Sequence, residues 1–189
     1  MNPASQQDWE AAALRLFEDE YVFVATGPRR HADWRTDVLA VMSRATSDPR
    51  GWETLDEDKE RSTEYPERDA SFPFTVSTES RLGEILHEVG PGPAAQLLVA
   101  LTDEWFQVKN IRDFPKRREV LLADARTLLA RYTPGYTCYT TAGNAAGDRT
   151  PEFFDKVTGG FQATDYLSDL GLVVVSSEEV GVFWRFNTY

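Results

Sequence analysis

Two histidines, one cysteine and one knot of cations are what this sequence offers to chemistry. His31 ends the run Gly27-Pro28-Arg29-Arg30-His31, which lies between an apolar stretch and a helical stripe. A helix start entered through a tight turn presents free backbone N–H groups, and such groups bind anions. Arg29, Arg30 and Arg35 would add charge there. The turn has neither the glycines and lysine of a phosphate-binding P-loop nor a GxGxxG pattern, so an exposed turn is the plainer expectation. His87 falls one position off the stripe Leu82, Ile85, Leu86 and Val89, which points it to solvent. Cys138 stands mid-strand with Tyr136 and Thr140 on its face, the place of a buried structural thiol more than of a nucleophile.

The cations Lys109, Arg112, Lys116, Arg117 and Arg118 gather at the start of a long helical stripe. Positive charge at that end opposes the helix dipole, at about 0.3–1 kcal/mol per exposed group. Something should offset it. One candidate is the acidic segment 47–70 folded over the cluster, which needs no outside molecule; the other is an anionic ligand. That segment carries Asp48, Glu53, Asp56, Glu57, Asp58, Glu60, Glu64, Glu67 and Asp69, with only Trp52 and Leu55 as large apolar anchors. Asp56-Glu57-Asp58 supplies hard oxygen ligands but not the spacing or glycine of a calcium loop. A zinc site needs histidine and cysteine pairs that the chain does not own. The expectation is therefore no metal and no cofactor.

The formal charge of −11 repels phosphate backbones and anionic bilayers, which argues against nucleic acid or membrane as the partner. The same charge steers association with a basic protein. The leading expectation is an acidic, non-catalytic binding protein whose surface comprises Asp56, Glu57, Asp58, Glu60 and Trp52. Immunity proteins that neutralise nuclease toxins offer a comparison in charge and size alone. The alternative is an enzyme or sensor for a small anionic ligand, using Arg29, Arg30 and His31 or Lys116, Arg117 and Arg118.

These residues need a scaffold, and 189 residues suffice for one well-cored domain. At 41% hydrophobic and 12% aromatic, the chain is too apolar to be disordered. A single cysteine fits a reducing compartment. No leader pattern and no apolar run of about 20 residues is present, so a cytoplasmic protein is expected.

The last stretch reads as a hairpin. Leu172–Val175 is apolar on both faces, Ser176–Glu179 forms a four-residue link, and Val182, Trp184 and Phe186 alternate with Phe183, Arg185 and Asn187. Upstream, Ser5 caps a helix ending near Asp19, and Tyr21–Thr26 is a strand stopped by Gly27-Pro28. A helix over 32–45 carries Trp34, Val38, Val41 and Met42. Phe72, Phe74 and Val76 alternate as a one-sided strand. Thr78 caps a helix running to Val89. Gln96–Leu101 is assigned as a buried strand partnered by Trp105–Val108, with a helix from Pro93 as the alternative. Asp113 caps a helix to Arg131, Tyr136–Thr141 is a strand, and Thr150-Pro151 opens a short helix. The order predicts a single α+β domain over 1–189, with helices against a largely antiparallel or mixed sheet and an acidic excursion at about 47–70.

Overall fold

The computed structural model describes residues 4–17, 21–52, 55–56 and 71–187. They form one antiparallel sheet with helices against both faces, an α+β domain. The strands are β1 (Val22–Pro28), β2 (His87–Val89), β3 (Tyr136–Thr140), β4 (Ser168–Ser176) and β5 (Glu179–Asn187), ordered β1-β5-β4-β3-β2. The helices are α1 (Gln6–Leu16), α2 (Trp34–Met42), α3 (Glu79–Ile85), α4 (Pro91–Ala100) and α5 (Phe114–Ala130).

The terminal hairpin is the middle of the molecule. β4 is the central strand, buried from Asp169 to Val175, and β5 lies between it and β1. The alternation along β5 sorts its side chains as expected. Val182, Trp184 and Phe186 enter one core with α2, α3, Leu55 and Phe74, while Phe183 enters the other with α1, α4 and α5. The link is tighter than the sequence suggested, since β4 reaches Ser176 and β5 begins at Glu179.

Glycine has a steric reason at Gly171. It pairs across the ladder with Trp184, and a Cβ there would lie 1.9 Å from the indole ring. The ring therefore crosses the strand where only hydrogen stands. Beyond it, Trp184 Nε1 donates to Asp169 at 2.9 Å.

Several local expectations give way to tertiary context. β1 runs on through Gly27 and Pro28, because it is an edge strand. Val24 N–H points away from β5 and donates to Asp48 at 3.0 Å, so by the two-residue period the absent N–H of Pro28 also falls on the open side. The helix capped by Thr78 stops at Ile85, and His87–Val89 becomes β2 by pairing with β3. His87 is thus half-buried on a strand instead of on a helix face. Phe72–Ser77 makes one bridge, Phe74 to Thr164, instead of a strand.

The strand assigned to Gln96–Leu101 is helix α4, close to the alternative from Pro93. Leu97, Leu98, Val99 and Ala100 are all fully buried, and a helix buried all round shows no stripe to read. Its supposed partner is a turn leading into a short 3-10 helix, Val108–Asn110. Asp103 holds that turn by accepting the N–H groups of Trp105 and Gln107. Thr150-Pro151 opens only turns; Phe153 N–H there donates to Gln96 Oε1 at 2.8 Å.

Ser5 and Thr78 do cap helices through their side chains, and Asp33 caps α2 in the same way. Asp113 does not: it takes a left-handed backbone (φ 55°) and makes no side-chain cap bond. Asp48, grouped by sequence with the surface acids, is buried against β1 and held by Arg50 at 2.7 Å. Its carboxylate also blunts the sheet edge, because it occupies an N–H that another strand would need.

Candidate functional site

The turn after β1 does gather anion-binding groups, and the anion they hold belongs to the protein. Asp37, in the first turn of α2, is 3% exposed. Its carboxylate accepts the N–H groups of Arg30 (3.1 Å) and His31 (3.2 Å) and meets His31 Nδ1 at 2.7 Å. Arg29 Nε stands 3.3 Å away. Arg29, His31 and the backbone of Arg30 thus surround an internal carboxylate, where the plainer expectation was an ordinary exposed turn.

Burial pushes the Asp37 carboxyl up, but the bonds from His31 and the two backbone N–H groups outweigh it and hold the group below its ordinary range. A lowered folded pKa gives stability that is complete above the unfolded value, about 3.9, and is lost as pH falls through the folded one. Asp37→Asn should therefore be less stable than the parent at neutral pH. Its urea midpoint should fall less than the parent's between roughly pH 5 and pH 2. Parallel midpoint curves for the two proteins would remove Asp37 as a source of acid lability.

The second cationic candidate opens onto solvent. Between the end of α1 and the start of α5 lies a cleft of about 420 Å³, lined by Arg15, Leu16, Thr102, Asp103, Asn110, Ile111, Arg112, Arg117 and Leu121. The lining carries three arginines and one aspartate. Asp103 is committed to the turn and to Asn110 Nδ2, and Arg15 is held by Asp124 at 2.6 Å. That bond raises the Arg15 pKa further. Arg112 is almost wholly exposed, with only a 3.9 Å contact to Asp113, and Arg117 is exposed on the first turns of α5. Leu16 and Leu121, also on the lining, are buried in the core beneath it.

Of the sequence-predicted cations, Arg112 and Arg117 meet in this cleft. Lys109 and Lys116 are exposed outside its lining, and Arg118 sits 5.1 Å from the centroid of Phe154. Arg15 was not foreseen. It lies on a helix far away in the chain, and no local spacing connects it to Arg117.

The acidic segment does not cover this cluster where it is described. Asp56 pairs with Arg44, whose Cζ lies 5.2 Å from the centroid of Trp52. Trp52 in turn packs on Phe23 at 4.9 Å, in the core on the opposite face of the sheet from α5. Glu57, Asp58 and Glu60 lie outside the described residues. Burial pushes the Cys138 thiol up to about 12, as befits the structural thiol expected there.

Among the described residues, no group of three or more histidine, cysteine, aspartate or glutamate side chains is arranged to hold a metal. Nor is any helix among them long and apolar enough to cross a membrane. Compared with protein-family models, curated proteins and solved structures, the chain matches none.

Proposed function

We propose that this chain binds a small anionic ligand in the cleft at the start of α5, as a sensor or an enzyme for that ligand. One observation carries the reading: Arg15, Arg112 and Arg117 line one open cleft on a protein whose net charge is −11. A cationic opening on an acidic body focuses the field and concentrates anions locally. The guanidinium fork suits carboxylate or phosphate. The single cysteine favours a cytoplasmic setting.

Calorimetric titration with inorganic phosphate and with benzoate, at low salt, tests this. Hydrogen bonds to a charged group contribute about 1.5–3 kcal/mol each, and about 1.4 kcal/mol is tenfold in affinity. Arg117→Ala should weaken binding by about 10- to 100-fold, and Arg112→Ala should compound the loss. Unchanged affinity in the double variant would remove the cleft from consideration.

The overall charge supports a second reading, a basic protein partner met by Asp56, Glu57, Asp58, Glu60 and Trp52. The Asp56 side chain is 52% exposed beside Arg44, so a partner's cation could reach it. Replacing these acids with amides should then slow association and flatten its salt dependence, with less effect on dissociation. Association indifferent to both changes would reject the reading.

A further inference from the structure

Arg15 differs from the other two arginines of the anion cleft in being held from behind. It stands in the last turn of α1, and its partner Asp124 is a buried residue of α5, 109 positions away in the chain. Arg15 Nε donates to the two carboxylate oxygens at 3.1 and 3.3 Å, and Nη2 donates to Oδ1 at 2.6 Å. The pair is lopsided, since the Asp124 side chain is 12% exposed and that of Arg15 is 58% exposed. Arg15 lines the cleft and Asp124 does not. Arg112 has no such anchor: its side chain is 94% exposed, with a 3.9 Å contact to Asp113.

As a tie between helices the pair is a poor device. A buried carboxylate gives up hydration, and a half-exposed guanidinium offsets little of that through solvent. Core side chains already join the two helices, Trp9 and Leu16 of α1 lying in one cluster with Leu121 and Leu128 of α5. What the arrangement does supply is a fixed guanidinium. An arginine loses rotamer freedom when it grips a ligand, and one held in place beforehand loses less.

We propose that Asp124 is the positioning residue of the anion cleft, acting through Arg15. The inference rests on the anion-binding reading of that cleft. It divides the work among the arginines. Arg15 offers a fixed contact whose charge Asp124 largely cancels, while Arg112 and Arg117 are the exposed cations that supply the net attraction.

Charge and position act in opposite directions at Asp124, which makes the role measurable. By charge alone, Asp124→Asn removes a repulsion and should tighten phosphate binding. Loss of the anchor should instead weaken it by about 2- to 10-fold, the effect of having to fix one flexible side chain on binding. Calorimetric titration with inorganic phosphate in the parent, Asp124→Asn, Arg15→Ala and the double variant separates the two effects. Asp124→Asn should weaken binding when Arg15 is present. In the Arg15→Ala background the same substitution should leave affinity unchanged or tighten it, because only the charge effect remains. Asp124→Glu keeps the charge but moves the carboxylate out by one methylene, so it should also weaken binding, and it decides the matter if Asp124→Asn does not fold. A loss of equal size with and without Arg15 would overturn the proposal, since Asp124 would then act through the fold. So would undiminished affinity in both Asp124 variants. A parent that binds neither phosphate nor benzoate would remove the cleft itself, and the positioning role with it.

Discussion

Replacing Trp184 with alanine is expected to cost about 3–5 kcal/mol of stability, the range for truncating a fully buried large aromatic. The side chain is wholly buried, crosses Gly171, and meets the ring of Phe74 edge-on at 5.5 Å. The space it vacates cannot close easily, because it is bounded by the two central strands and not by a loop. The loss should appear as a lower urea midpoint with little change in slope. Trp184→Phe keeps most of the apolar area but not the N–H, and should cost less. A Trp184→Ala protein within about 1 kcal/mol of the parent would remove this ring from its central place in the fold.

Asp169→Asn should be the second large loss, at about 2–4 kcal/mol. Asp169 is 5% exposed and accepts from Ala163 N–H, Thr164 N–H, the Thr164 hydroxyl (2.6 Å) and Trp184 Nε1. An amide replaces one acceptor oxygen with a donor aimed at other donors, and each unsatisfied buried group costs about 1–3 kcal/mol. Hydrogen exchange at Ala163 and Thr164 should quicken more than exchange within α5, since Asp169 holds that segment to the sheet.

The pH dependence of this variant has a definite sign. Burial raises the Asp169 carboxyl above its ordinary value, against the opposing pull of its hydrogen bonds. A raised folded pKa adds stability below the unfolded value, and that stability is lost as pH rises through the folded one. The amide has no such term, so the deficit of Asp169→Asn against the parent should widen on acidification. Asp37 acts in the opposite direction, and the two variants can be separated by their pH profiles alone. A double-mutant cycle between Trp184 and Asp169 should show coupling, because they share a hydrogen bond.

Local pattern in the sequence determined the hairpin, the faces of β5, the caps at Ser5 and Thr78, and the long helix α5. Each is written in residues close together in the chain, through a two- or 3.6-residue period or a capping side chain. At Arg29, Arg30 and His31 local pattern offered an anion-binding turn only as the alternative to an ordinary exposed one. Only the tertiary structure decided which anion: Asp37 folds back one turn and fills the place. Only the tertiary structure made α4 a helix, since burial on every side erases the stripe that would announce it, and made His87–Val89 a strand, since three residues acquire that form by pairing with β3. The cleft is the clearest case. Arg112 and Arg117 are neighbours in sequence, but Arg15 joins them because α1 packs along α5, and a contact between distant segments leaves no period to read.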